Sequence, residues 1–283
     1  MAISKLTTSS EAVKFIKDGN SIVLFGGWDP MSLICELIRT GRSNLRVFAH
    51  SYSIGADMLL QSGSVETMFY SSPSKEFSPD GCDGVYSIPE EVLRSQLSAS
   101  IAGTEYALMP NIVDLLNASP EMYQPVVSPF TNAPQIAAAA ISPDVALLHV
   151  PRADIFGNIQ LDPADSCRIA EILRLADAAK TVVVSAEQIV SSDAILQNQD
   201  ATILLASRVC AVVEAPYGTY PLGCGCRYKA DEEYISSYIN AKANGTYQDF
   251  ITKSLLADMD WSAFLNKLGF DKLMALSTNR RGE

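Results

Sequence analysis

Four stretches of this chain are apolar on both faces of any strand they form: Ile22 to Phe25, Val145 to His149, Val182 to Ser185, and Val209 to Val213. A strand with one wet face alternates apolar and polar residues, whereas a strand covered on both faces does not. Runs of this kind predict the buried central strands of a parallel sheet. The segments between them have helical character. Ser9 to Lys17 opens on Ser-Ser-Glu and carries Ala12, Val13, Phe15 and Ile16 at amphipathic spacing. Pro30 to Arg39, Ala56 to Gln61, Pro89 to Ala102 and Ser166 to Ala179 read as further helices, and Leu45 to Ala49 and Val65 to Tyr70 as further strands. Alternating strands and helices predict an α/β fold, an open, doubly wound, mostly parallel sheet.

Three polar-faced helices, Asp231 to Ala243, Tyr247 to Leu256 and Trp261 to Leu268, are expected to pack outside this sheet. Ser71 to Ser87, rich in Ser, Pro, Asp and Gly, reads as a long loop, and Asn117 to Pro134 as irregular. No Gly/Ser-rich or Pro-rich spacer divides the 283 residues, so residues 1–283 are expected to form a single domain.

Charge and cysteine content exclude several classes of function. A net charge of −11 with no Lys/Arg cluster argues against nucleic-acid binding; Arg280 and Arg281 sit in a polar tail. Six scattered cysteines, with no apolar leader over Met1 to Lys5, point to reduced thiols and a cytoplasmic location. No apolar run reaches membrane-spanning length. Cys224-Gly225-Cys226 lacks the further ligands a zinc site requires, so no metal is assigned. There is no G-x-S-x-G, P-loop or dinucleotide fingerprint.

Several motifs fall at the ends of the apolar runs. Ala215-Pro216-Tyr217-Gly218-Thr219-Tyr220-Pro221 follows the last one, with Gly218 free to adopt positive φ. Asp18 to Trp28 contains an Asp-Gly turn, a strand and then Gly26-Gly27-Trp28. Upstream of the proline-bounded turn stand Pro143 to His149 and Arg152 to Asn158. Together, and in this order, these segments resemble the A (alpha) subunit of family I coenzyme A transferases, the glutaconate transferase branch especially. Pro89 to Leu97 is also similar to a segment of the A subunit of a CoA hydrolase that cleaves a steroid-derived ring.

The resemblance implies a sheet of the CoA-transferase type, a coenzyme A thioester as substrate rather than a permanently bound cofactor, and a beta-type partner subunit. It places backbone donors for an acyl group at Gly26, Gly27 and the Tyr217-Gly218 turn. Trp28, which stands where the family has Phe, and Asn158 of the Asp154 to Asn158 turn become candidate substrate contacts. Glu90 is the candidate catalytic base, with Glu91 one position away. Acidic residues in a first helical turn also serve the helix dipole, so both roles stay open for Glu90. The family's nucleophilic glutamate belongs to a motif of the B-type subunit that this sequence lacks; Glu187 is read as a helix-start or interface carboxylate.

The expected function is therefore the alpha subunit of a CoA-transferase that moves coenzyme A between carboxylic acids. Two alternatives accompany it. One is a subunit of an acyl-CoA hydrolase or C–C cleaving enzyme with Glu90 as base, and the other a non-catalytic acyl-CoA-binding or scaffold subunit.

Overall fold

The computed structural model describes residues 3–72, 77, 79, 82–110, 119, 121–225, 227–254, 256–257 and 260–278. Cys226, Arg280 and Arg281 lie outside them, as does part of the Ser71 to Ser87 loop.

The main sheet runs in the order β1 (Leu6–Thr7), β13 (Ala211–Glu214), β11 (Thr181–Val190), β9 (Val145–Asp154), β2 (Ser21–Leu24), β3 (Leu45–Ser51), β4 (Val65–Ser72), β5 (Val85–Ser87). Every pairing along this path is parallel. Two short strands, β10 (Ile159–Gln160) and β12 (Thr202–Leu204), attach antiparallel at the end of β9. This is the predicted mostly parallel α/β sheet, and its four apolar runs are buried except at Cys210, which is exposed and precedes β13.

The covering layers follow from the apolar runs. In β2, Ile22 and Leu24 face one core while Val23 faces the other, and Phe25 continues the second set. The first core lies under α1 (Ser9–Ala12), α2 (Met31–Arg39) and α3 (Ile54–Gln61), and the C-terminal helices add to it through Ile235, Tyr238 and Phe264. The second lies under α4 (Glu90–Ile101) and α5 (Ile169–Ala178). A buried carboxylate docks the C-terminal region: Asp57 of α3 accepts from Tyr52 at 2.6 Å, from Tyr238 and from Lys242.

Strand order locates the site. From β2 the chain lays down β3, β4 and β5 in one direction, then returns to place β9 on the other side of β2 and continues to β11 and β13. The sheet therefore switches direction between β2 and β9, and in open α/β sheets the crevice beyond such a switch point takes the ligand. Leu24 pairs with Leu147, which sets Gly26 level with His149 at the carboxyl end.

Three expectations are corrected. Asn117 to Pro134 is not wholly irregular: β7 (Tyr123–Val127) joins β6 (Tyr106–Pro110) and β8 (Pro134–Ala139) in a separate antiparallel sheet. Pro110, Pro125 and Pro134 mask these strands in the sequence, since proline belongs to edges and strand starts. The predicted loop before Pro89 also contains β5. Finally, β11 runs five residues past Ser185, so Glu187 is on a strand and does not start a helix.

Candidate active site

Two clusters of polar side chains occupy the carboxyl end of the sheet. The first is built around Glu187. Ser185 and Glu187 stand two apart on β11 and share a face, and His149 pairs with Ser185 from β9. His149 Nδ1 lies 2.8 Å from Ser185 Oγ, and Nε2 lies 2.7 Å from Glu187 Oε1. An ionised carboxylate only accepts, so Nε2 carries a proton. The same carboxylate accepts the Tyr217 N–H at 2.8 Å, the Gly218 N–H at 3.1 Å and the Tyr228 hydroxyl. Burial pushes the Glu187 carboxyl up, but the hydrogen bond and charge of His149, with Tyr228 and Tyr217, hold it below the usual range.

This arrangement corrects the expected role of the Tyr217-Gly218 turn. Both amides already bond Glu187, so they are not free donors for a substrate oxygen. Positive φ falls on Tyr217, at +52°, and not on Gly218. A non-glycine residue holds that conformation only where its surroundings over-determine it. Tyr217 meets the condition: its hydroxyl donates to Leu273 O at 3.1 Å and lies 2.6 Å from Ser277 Oγ, and its ring packs 4.6 Å from that of Tyr228. Gly218 is required for another reason, since a Cβ there would sit 2.5 Å from His149 Cε1.

Cys224 approaches the same cluster, and its possible ligand atom lies within 4.8 Å of those of His149 and Glu187. Burial, and then the charge of Glu187, push the thiol well above its usual range, which keeps it protonated. Within this trio, both His149 nitrogens and both Glu187 oxygens already take part in hydrogen bonds.

The second cluster lies beside β2 and β3. Gly26 and Gly27 both have positive φ. A Cβ on Gly26 would lie 2.1 Å from Ser51 Oγ, so this glycine serves the packing of its loop on the end of β3. Gly27 is exposed, with nothing within 4 Å of its Cβ position. Asp29 ties the loop to the start of α3 by accepting the Gly55 N–H at 2.9 Å, and burial holds its carboxyl above the ordinary value. Next to the loop, the Phe25 and His50 rings are 5.9 Å apart, and His50 Nε2 lies 3.3 Å from Glu90 Oε1. Arg94, one turn along α4, pairs with the same Glu90 oxygen and reaches Glu171 of α5 at 3.5 Å. Glu90 is thus on the Gly26 side of the sheet, partnered by a histidine and an arginine; Glu91 is exposed.

The remaining candidates are turned inward. Trp28 is fully buried, with the Arg168 guanidinium 4.5 Å above its ring, so it presents no face to a substrate. Asn158 donates to Asp154 Oδ2 at 2.8 Å and accepts the Ala206 N–H at 2.9 Å, so both ends of its amide close the turn. Asp154 Oδ1 caps that turn by accepting from Phe156, Gly157 and Asn158.

Sequence reasoning passed over His50, His149, Ser185 and Tyr228. The signal for His149 was present: it is the one titratable residue in an otherwise apolar central run. Period-two spacing from Ser185 would have put Glu187 beside it, had the strand been carried that far.

The protein-family model described as "Coenzyme A transferase" matches residues 6–203. An uncharacterised protein of Archaeoglobus fulgidus is 29% identical over 95% of this chain, which spans 63% of that protein's length. The A subunit of glutaconate CoA-transferase from Acidaminococcus fermentans is 24% identical over 97% of this chain and 95% of its own. The A subunit of 3-oxoadipate CoA-transferase from Pseudomonas knackmussii is 24% identical over 95% of this chain and 100% of its own. Among solved structures, glutaconate coenzyme A-transferase from Acidaminococcus fermentans superposes with a TM-score of 0.84 at 21% identity, over 97% of this chain and 96% of that one. A variant of the decarboxylase AibA/AibB matches with a TM-score of 0.76 at 25% identity, over 91% of this chain and 100% of that one.

Proposed function

Because the chain belongs to the coenzyme A transferase family, we propose that it is the A-type subunit of an enzyme that moves coenzyme A between carboxylic acids. A B-type partner supplies the glutamate nucleophile. The observation that carries this division of labour is the state of Glu187. It stands at the carboxyl end of the sheet beside the switch point, and four donors bond it. Attack on a thioester needs an oxygen lone pair aimed at the acyl carbon, whereas three donors crowd Oε1, the Tyr217 N–H bonds Oε2, and the side chain is only 9% exposed.

In the proposed reaction, the partner's carboxylate attacks the thioester carbonyl and expels the coenzyme A thiolate, leaving an acyl-glutamyl anhydride. The thiolate then attacks the glutamyl carbonyl, which releases the first acid and leaves a glutamyl thioester. The second acid reverses these steps. This chain contributes a wall of the acyl pocket, with the N–H of Gly27, an exposed residue, as the proposed backbone donor to the thioester oxygen. No described helix is long and apolar enough to cross a membrane. The proposed cytoplasmic setting rests on the scattered cysteines, of which those described are free thiols.

A second reading keeps the coenzyme A thioester but places the chemistry on acyl carbon or on water. The His50–Glu90 pair favours it, because a carboxylate bonded to a half-buried imidazole is a workable acid–base pair. Reconstitution with the B-type subunit separates the two readings. Transfer from acetyl-CoA to a dicarboxylate with ping-pong kinetics supports the first, whereas acyl-CoA cleavage without an acceptor acid supports the second.

A further inference from the structure

We propose that Glu187 is a positioning residue whose charge sets the shape of the loop bearing Gly27, a role that rests on the site assigned above. A chain of contacts connects the two. Glu187 holds the Tyr217 and Gly218 amides, which fixes the turn after β13. The carbonyl of Gly218 accepts the Ser32 N–H at 3.3 Å, in the first turn of α2. That helix begins immediately after the Gly26 to Pro30 loop. The opposite side of the turn is held by Trp261, whose indole Nε1–H donates to Pro216 O at 2.8 Å.

The carboxylate cannot be replaced by a neutral isostere without loss. Four donors converge on its two oxygens: the Tyr217 and Gly218 amides, the Tyr228 hydroxyl and His149 Nε2. A glutamine brings one acceptor oxygen and an NH2 that is itself a donor. Tyr228 can rotate its hydroxyl to accept, and His149 can give up its Nε2 proton and accept there. A backbone amide can do neither, so at least one turn N–H is left without an acceptor in a buried place.

The two tryptophans make the effect observable in the full-length chain without any assay of activity. Trp261 touches the turn, and Trp28 belongs to the Gly26 to Pro30 loop itself, next to Gly27. In chain labelled with 5-fluorotryptophan, E187Q should shift the Trp261 fluorine resonance through the turn and that of Trp28 through the loop. In the complex with the B-type subunit, kcat/KM for acyl-CoA should fall by about tenfold or more, with a normal circular dichroism spectrum. Y228F removes one donor and keeps the charge, so both effects should be smaller and in the same direction; it decides the matter if E187Q does not fold. An unmoved Trp261 or Trp28 resonance in E187Q overturns the proposal. A moved resonance with unchanged kcat/KM also overturns it, because the carboxylate then serves folding alone. If the wild-type complex transfers no coenzyme A, the fluorine spectra still report the clamp, and the failure belongs to the functional reading.

Discussion

His149 Nε2 lies 2.7 Å from Glu187 Oε1, and this contact joins two central strands to the turn that follows a third. It also explains why a carboxyl group placed in a core keeps its pKa below the usual range. Burial alone would raise it; the imidazole and the three further donors reverse the sign.

A pH dependence of stability follows. The folded-state pKa of Glu187 is depressed relative to the unfolded value of about 4.3. Its contribution is therefore fully present above that value and is lost as pH falls through the folded pKa. Urea unfolding of wild type and E187Q should differ by a constant amount from about pH 6 to 8, and the gap should narrow below about pH 4. A gap that stays constant into acid would contradict the assignment.

Glycine substitutions should rank by the space each structure allows. Gly218→Ala places a methyl 2.5 Å from His149 Cε1 and 2.6 Å from Ala215 O. It should cost about 1–3 kcal/mol through overpacking. Gly27→Ala meets nothing within 4 Å, but its φ of +91° still costs an L-residue about 1–2 kcal/mol. Urea midpoints of the two variants check the order, and only Gly27→Ala should retain a native Tyr217-Gly218 turn.

Gly26→Val, an attractive way to block a ligand on sequence grounds, does not test ligand binding. The new Cβ meets Ser51 before it meets any substrate. Much of the fold was legible in the same way that this glycine was: Ile22 to Phe25 and Val145 to His149 announced covered parallel strands because burial on both faces removes alternation. The antiparallel β6–β8–β7 sheet was not legible, because prolines end β6, sit inside β7 and open β8, and pairing across residues 106–139 leaves no local periodicity. The site was half legible. Gly26-Gly27 and the Pro216 to Gly218 turn were found as strand-end loops, but hydrogen bonding decides their roles. Neither the seizure of the turn amides by Glu187 nor the burial of Trp28 under Arg168 is written in residue types.

Asp57→Ala should loosen the C-terminal helices. Asp57 is fully buried, and its loss removes the acceptor that Tyr52, Tyr238 and Lys242 share. Breaking such a buried charged network costs about 3 kcal/mol or more. Proteolysis followed by mass spectrometry should show cleavage within C-terminal helices such as Glu232–Ala243 before the central sheet is cut.

Glu90→Gln keeps size and helix position while removing the base. Coenzyme A transfer by the complex should fall by less than about threefold on the first functional reading. A loss of about a hundredfold or more would assign the His50–Glu90 pair to proton transfer and favour acyl-CoA cleavage.

The division of labour between subunits is tested most directly by coenzyme A exchange between acetyl-CoA and a dicarboxylate, measured on the purified chain alone and again with its B-type subunit. The account predicts no turnover by this chain alone, ping-pong exchange by the pair, and a glutamyl thioester trapped by borohydride on the partner. Exchange by the chain alone, with the adduct on Glu187, would contradict it.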